Sequence, residues 1–289
     1  MEKSGFFKKI KKYKKIAIIS HDAGGAEILS SLCTSIKQKK KYYLKGPAKK
    51  KFKKNLKKNI LNFKKKKLIS WSDLIITSTS VNSDLEKRFI NCALLNNKNV
   101  ISILDHWVKY YERFFFKKKL LKPTQIWAVD KEAQALAKKV FSRKIYLVKN
   151  PYLNNLEKKK YFRKKNKFVN FLFASDNIDG KNKTSHDIKV FEKFLKKFKK
   201  IKTSKPKKLF FKTHPSEKTN KYENLFKKLD FKIFKCKKKF DIREFDFVAG
   251  HQSMMLVVGK NFGLKTINIK VKKSEKNFLP KKYIDVSIF

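Results

Sequence analysis

The chain has 289 residues, 76 of them Lys or Arg against 23 Asp or Glu, for a formal charge of +53 and a pI near 10.2. Its 41% hydrophobic content, 14% aromatic content and 27 Phe exclude wholesale disorder, and its length predicts two domains. No apolar run approaches the roughly 18 residues of a membrane-spanning helix, so that class is excluded as well.

The opening MEKSGFFKKIKKYKK has the charge of a signal n-region. The apolar run behind it, Ile16 to Ile19, is shorter than the roughly 7–15 residues of an h-region and instead leads into a first strand. That strand is KKIAIIS (14–20), followed by the glycine turn and helix HDAGGAEILSSLCTSI. KYYLKGP (41–47) reads as strand two, ending at Gly46-Pro47, and SDLIITSTS (72–80) as strand three with helix SVNSDLEKRFINCALLNN behind it. NVISILD (99–105) is the fourth strand, QIWAVD (125–130) the fifth with helix KEAQALAKKVF, and KIYLV (144–148) the last before Asn150-Pro151. Residues 151–167 turn polar and lose the pattern, as an interdomain linker would. The alternation then resumes with strand FVNFLFAS (168–175), helix SHDIKVFEKFLKKFKKI, strand KKLFFKTHP (207–215), helix YENLFKKL, strand FKIFK (231–235), strand FDFVAG (245–250), a helix opened by HQSMMLVVGKNFG, and strand KTINIKV (265–271). Strand then helix at these lengths predicts parallel sheets covered on both faces. The expected architecture is α/β: two Rossmann-like parallel-sheet domains facing a cleft, residues 1–150 and 168–289, joined by the 151–167 linker.

The kind of charge narrows the partners. A charge of this sign predicts association with nucleic acid, anionic lipid or phosphorylated substrates. Yet only Arg88, Arg113, Arg143, Arg163 and Arg243 are arginines, whereas readers of phosphate or guanine favour the Arg fork. The Lys, Asn, Ile and Phe excess matches A/T-rich coding, and drift is read as the main source of the charge. The Lys runs 37–41, 49–54 and 64–67 lack regular aromatic spacing and are read mostly as solvated faces. Cys33, Cys92 and Cys236 are far apart and form no CxxC pair, which argues against a disulfide framework or zinc knuckle and fits a reducing cytoplasm.

In open α/β sheets ligands bind beyond the carboxyl ends of the strands. His21, His106, His214 and His251 all sit near predicted strand ends. His21-Asp22-Ala23-Gly24-Gly25 follows strand one; a glycine pair there lets backbone approach a ligand and offers helix N–H groups to an anion, or it is a tight turn with Asp22 as cap. It is not GxGxxG, so no dinucleotide site is indicated. Asp105-His106-Trp107 ends strand four, and an Asp beside a His there suits a general base for an acceptor hydroxyl, or a helix cap over a packed Trp. Thr77-Ser78-Thr79-Ser80 could meet sugar hydroxyls or cap a helix. Lys212-Thr213-His214-Pro215-Ser216-Glu217 brings a point charge, an imidazole and a hydroxyl to one strand end, a set suited to phosphate; the simpler reading is a turn with Ser216 as cap. Gly250-His251-Gln252-Ser253 opens a helix where backbone N–H groups, Gln252 and Ser253 could hold another phosphate oxygen, or Ser253 is an N-cap. Ser175-Asp176-Asn177-Ile178-Asp179-Gly180 places two carboxylates at a turn, where they could serve catalysis or, as such residues more commonly do, the turn itself. Asp230, Asp241 and Asp246 are dispersed and form no DxD pair, so no metal site is expected.

Two Rossmann halves, a glycine loop after strand one, a K-x-H-P strand end and a G-x-x-S helix start resemble GT-B-fold glycosyltransferases. The chain looks most like bacterial sialyltransferases with a His-Pro motif and CDP-glycerol glycerophosphotransferases, and UDP-N-acetylglucosamine 2-epimerases share the framework. The resemblance implies that His214 and Ser253 contact the donor phosphate. It implies a base from an acidic-acidic-Gly motif, but Ile178 precedes Asp179-Gly180 here where that motif has an acid. The implied activity is metal-independent glycosyl or polyol-phosphate transfer from a nucleotide-activated sugar to a glycan or lipid-linked acceptor, with no cofactor beyond the nucleotide-sugar co-substrate. Lys212, His214, Ser216, Gln252 and Ser253 would hold the donor phosphate; His21, Asp22, Gly24, Gly25, Asp105 and His106 would serve the acceptor. The location implied is cytoplasmic, peripheral to the inner membrane where residues 37–67 meet an anionic surface. One alternative is nucleotide-sugar 2-epimerisation or hydrolysis on the same scaffold. Another is a basic nucleic-acid-binding protein, but the chain lacks an RNP signature, zinc spacing or an obvious helix-turn-helix, so nucleic acid is not the expected partner.

Overall fold

The computed structural model describes residues 5–81, 83–157, 166–176, 184–214, 217, 220–236 and 240–289, with Glu157, Thr184 and Ser185 as backbone alone. They form two compact units, Met1–Asn154 and Asn155–Phe289.

The first unit begins with α1 (Gly5–Ile10), whose Phe6 and Ile10 are buried. It continues with β1 (Lys15–Ser20), α2 (Ala23–Cys33), β2 (Lys39–Leu44), α3 (Pro47–Leu56), α4 (Lys65–Trp71), β3 (Leu74–Thr77), α5 (Leu85–Leu95), β4 (Asn99–Leu104) and α6 (Tyr110–Phe114). A small antiparallel hairpin, β5 (Phe115–Phe116) and β6 (Lys119–Leu120), precedes β7 (Gln125–Ala128), α7 (Lys131–Lys138) and β8 (Ile145–Leu147), and α8 (Pro151–Glu157) then runs across the boundary between the two units in the sequence. Its main sheet is parallel throughout, in the order β2-β1-β3-β4-β7-β8. The central strands are continuous apolar runs because both faces are covered: every residue of β3, and all of β1 after Lys15, is buried.

Edge strand β2 explains one lysine run. Lys39, Lys40 and Lys41 lie on it, and flanking charge discourages pairing with another chain. Two other runs lie on helices, whose solvated faces they form. In α3, Ala48 and Phe52 recur four apart and are buried while Lys49, Lys50, Lys53 and Lys54 face water; α4 buries Leu68 and Ile69. The stretch expected as a linker also opens on a helix, α8, with Leu153 buried.

The second unit comprises β9 (Val169–Ala174), α9 (Thr184–Lys200), β10 (Lys207–Lys212), α10 (Glu223–Lys227), β11 (Ile233–Lys235), β12 (Phe247–Gly250), α11 (Met254–Asn261), β13 (Lys265–Ile269) and β14 (Val286–Ile288). Its sheet is parallel in the order β11-β10-β9-β12-β13-β14. The core is built of phenylalanine. Val190, Phe191, Phe194, Leu195 and Phe198 form the buried stripe of α9 over Phe171, Phe173 and Phe211 of the sheet. Phe171 and Phe247 stack with centroids 4.4 Å apart. Strand β14 was absent from the sequence-based expectation. It is a three-residue edge strand, and only its register with β13 identifies it.

Each sheet reverses its winding once. In the first unit the reversal lies between β1 and β3, in the second between β9 and β12. Where two crossovers run to opposite sides, the strand ends part into a crevice that side chains line.

Candidate functional site

In the first unit the reversal point gathers most of the predicted residues. His21 Nδ1 lies 2.7 Å from Asp22 Oδ1, and the two side chains keep 29% and 32% of their surface exposed. Asp22 is the N-cap residue of α2 but makes no side-chain cap bond, because its carboxylate is turned to His21. The glycines behind it are dictated by close approach. A Cβ on Gly24 would sit 3.0 Å from Asp105 Oδ2, and one on Gly25 only 2.3 Å from Ser78 Cβ. Gly46, at φ +52°, performs the same service for the imidazole: a Cβ there would lie 2.7 Å from His21 Nε2.

Asp105, at the end of β4, is held from two sides. Its Oδ1 accepts from Thr79 Oγ1 at 2.9 Å and from the Arg113 guanidinium at 3.0 Å, and both charged side chains are 8% exposed. Arg113 also donates to Thr79 Oγ1 and to the Val108 carbonyl. The hydroxyl-rich end of β3 therefore positions side chains: Thr79 braces Asp105, and Ser78 donates to Glu86 Oε1 at 2.9 Å and shares a hydrogen bond with Ser20 at 2.8 Å. Glu86 is buried, accepts from the His21 backbone N–H at 2.8 Å, and leaves Oε2 without a hydrogen-bond partner. Burial pushes its carboxyl up to about 6, against which the bonds from Ser78 and His21 pull.

His106 does not join this group. Its Nδ1 accepts from the Trp107 N–H at 3.0 Å and its ring packs edge-on against Trp107. Burial, with Arg113 adding repulsion, lowers its pKa to about 4, so it is neutral at pH 7.

In the second unit Ser175, just past β9, and Glu217 tie two strand ends together. Ser175 Oγ and Glu217 Oε2 both accept from the His214 N–H, at 2.9 and 3.0 Å, and Ser175 donates to Glu217. Glu217 Oε1 takes bonds from Lys221 Nζ at 2.8 Å and Tyr222 at 3.0 Å, and Lys221 also pairs with buried Asp187. Desolvation works to lower the Lys221 pKa, but the bonds to Asp187 and Glu217 outweigh it and hold the ammonium raised. The His214 imidazole is held below its ordinary value, by desolvation first and by nearby Lys212 as well, while Glu217 opposes. Lys212 extends its ammonium over the Phe240 ring, 5.6 Å from the centroid. Ser216, Asp179 and Gly180 lie outside the described residues.

At the neighbouring strand end, Ser253 is the N-cap of α11, accepting from the Met255 N–H at 3.4 Å, and it hydrogen-bonds Asp176. Burial raises the Asp176 carboxyl well above the usual range, and its Oδ2 has no hydrogen-bond partner. Gln252 has φ +43° and its side chain is a strap: Oε1 accepts from the Phe278 N–H at 2.7 Å and Nε2 donates to the Lys276 carbonyl at 3.0 Å. The same amide nitrogen lies 2.9 Å from His251 Nε2, and His251 Nδ1 lies 2.7 Å from the Ile269 carbonyl. A carbonyl only accepts, so Nδ1 carries the proton and Nε2 receives the amide.

His186, His251 and Glu275 are a group of metal-ligand type among the described residues, with ligand atoms within 4.8 Å of one another. His251 Nδ1, 3.7 Å from Glu275, is the nitrogen already donating to Ile269, so coordination through it would break that bond.

Sequence reading missed Glu86 and Arg113. Glu86 looks like any helix-start acid. Arg113 carried a signal in its scarcity, since a Lys-rich chain uses Arg where a rigid fork is needed.

Among solved structures, this fold is found in the UDP-GlcNAc 2-epimerase of Methanocaldococcus jannaschii, with a TM-score of 0.57, 14% identity and coverage of 88% of this chain and 83% of that one. S. aureus MnaA, solved with UDP, aligns with a TM-score of 0.61 at 11% identity over 88% of this chain and 78% of that one. A further UDP-N-acetylglucosamine 2-epimerase gives 0.57 at 9% identity over 90% and 79%. At such identities the likeness is one of fold: two Rossmann-like sheet units of the GT-B class. No family model matches the chain, and no curated protein matches it by sequence. Among the described residues no helix is long and apolar enough to cross a membrane.

Proposed function

We propose that this chain transfers a glycosyl or polyol-phosphate group from a nucleotide-activated donor to an acceptor hydroxyl. The observation that carries the reading is the His21–Asp22 pair, 2.7 Å apart and open to solvent at the winding reversal of the first unit. Asp22 orients the imidazole through Nδ1, so Nε2 is the nitrogen that takes a proton from the acceptor hydroxyl as it attacks. Asp105, locked by Arg113 and Thr79, offers Oδ2 to the same strand-end region and orients acceptor hydroxyls. In the second unit, Lys212, the His214 imidazole and the start of α11 with Ser253 stabilise charge growing on the departing nucleoside phosphate. His214 acts there as a neutral N–H donor, in keeping with its lowered pKa. The nucleotide sugar is a co-substrate, and no cofactor takes part in these steps.

The test is transfer of label from a panel of CMP-, UDP-, GDP- and CDP-activated donors to glycan or lipid-linked acceptors. His21→Ala should lower kcat by about 10²–10⁴-fold. His214→Ala should remove about 2–4 kcal/mol of transition-state stabilisation. Full activity in both variants would refute the assignment. A second reading, epimerisation or hydrolysis of a nucleotide sugar, is favoured by the fold shared with 2-epimerases and by the carboxylates Asp22 and Asp105 at neighbouring strand ends of one unit. Incubation without acceptor separates them: epimerisation proceeds and transfer does not.

A further inference from the structure

From the segment between β4 and β7 we infer that the β5–β6 hairpin and Tyr111 form an interfacial foot that seats this unit on an anionic lipid bilayer. Tyr111 and Phe115 are 49% and 39% exposed and stack on each other, centroids 5.0 Å apart at 22°. Beside them, exposed Lys117, Lys118 and Lys119 form the hairpin's turn and the start of its return strand, with Lys117 over the half-buried ring of Phe116. Exposed aromatic rings beside lysines match the headgroup region of a bilayer, where rings enter the boundary layer and ammonium groups meet lipid phosphate. Between Lys109 and Lys122 the single carboxylate is Glu112.

The foot is rigid where it leaves the unit. Phe114 is fully buried and packs edge-on against Phe141 at 5.1 Å, and its carbonyl accepts from the Leu121 N–H at 2.9 Å, closing the hairpin's base. The turn keeps Lys117 at φ +48° and Lys118 at φ +62°, so their side chains project from a two-residue hairpin turn. Lysine clusters and aromatic rings also serve single-stranded nucleic acid, but stacking of bases needs free ring faces. Tyr111 and Phe115 spend one face of each ring on the other, which leaves a base less ring face to stack on, while insertion into a bilayer needs only the exposed rings. Arg113, two residues before the hairpin, is the residue that braces Asp105, so a bilayer here would favour lipid-borne acceptors. That last point rests on the transferase reading; the docking itself does not.

The whole chain is basic, so adhesion to anionic vesicles at low salt proves nothing by itself. The informative measurement is flotation of the full chain with phosphatidylglycerol-containing vesicles at about 0.1 M and about 0.5 M salt, because screening weakens the charge contribution and leaves ring insertion. The wild type should retain bound protein at high salt, and Tyr111→Ser/Phe115→Ser should reduce that fraction at least about five-fold while leaving the far-UV spectrum unchanged, both rings being exposed. Lys49→Glu/Lys50→Glu on α3 should lower binding at low salt and leave the high-salt fraction alone. Wild-type flotation abolished at high salt, or a serine pair that floats like the wild type, would overturn the proposal. So would a single-stranded polynucleotide that needs the aromatic pair while vesicles do not.

Discussion

Replacing Gly25 by alanine sets local propensity against tertiary packing, and the two predict opposite signs. Gly25 lies in the first turn of α2, where alanine is the better helix former by at most about 1 kcal/mol. The added Cβ, however, would stand 2.3 Å from Ser78 Cβ and 2.9 Å from its Oγ, far inside the 3.5–4.0 Å or so of a relaxed contact. Ser78 cannot step aside cheaply, since it is fully buried and bonded to Ser20 and Glu86. Overpacking costs about 1–3 kcal/mol and two disturbed hydrogen bonds about 1 kcal/mol each. After subtracting the propensity gain, Gly25→Ala should destabilise the first unit by about 2–4 kcal/mol. Trp71, Trp107 and Trp127 are the three tryptophans of the chain and all belong to that unit, so urea unfolding followed by tryptophan fluorescence reads it selectively. A midpoint that stays put or rises would refute the packing argument. Gly25→Ala/Ser78→Gly should recover part of the loss, and a coupling energy near zero would show that the strain lies elsewhere.

Glu86 gives a pH signature. Its carboxyl is raised from an ordinary 4.5 to about 6, so the folded unit holds a proton that the unfolded chain has released. Its stabilising contribution is therefore present below about pH 4.5 and is lost as pH rises through about 6, amounting to about 2 kcal/mol. Glu86→Gln should flatten that part of the stability–pH profile and raise stability at pH 7; an unchanged slope would be the contrary result. Arg113→Ala strands the Asp105 carboxylate in a buried setting and should cost about 3–5 kcal/mol, whereas Arg113→Ala/Asp105→Ala should cost less, as urea unfolding can show. Lys221→Met leaves Asp187 and Glu217 buried without their shared cation and should cost a similar amount in the second unit, read as faster amide hydrogen exchange in β9 and β10. A nucleotide that binds only the folded protein should raise its melting temperature with concentration, and no shift from any of CMP, UDP, GDP or CDP would count against the proposed donor class.

Much of the fold was legible because parallel strands buried on both faces appear as short continuous apolar runs, and IAII, LIIT and FVAG have no other comfortable home. The strand-end location of His21, Asp22 and Asp105 followed from the same alternation. Helices α3 and α4 were hidden because a lysine-rich face supplies most of their residues, and the two or so apolar positions each buries do not make a visible period. Strand β14 was hidden because a three-residue edge strand is defined by its neighbour.

What the amino-acid order determined alone was the number and kind of elements and the chemistry available at their carboxyl ends. Tertiary structure decided which of those groups meet. It turned Asp22 to His21 instead of to its own helix, brought Arg113 back to Asp105, buried Glu86 under Ser78, and committed the Gln252 amide to residues 276–278. The physical reason is that a hydrogen bond between residues tens of positions apart depends on strand order and winding. A single sequence states that order only through the packing it permits once folded.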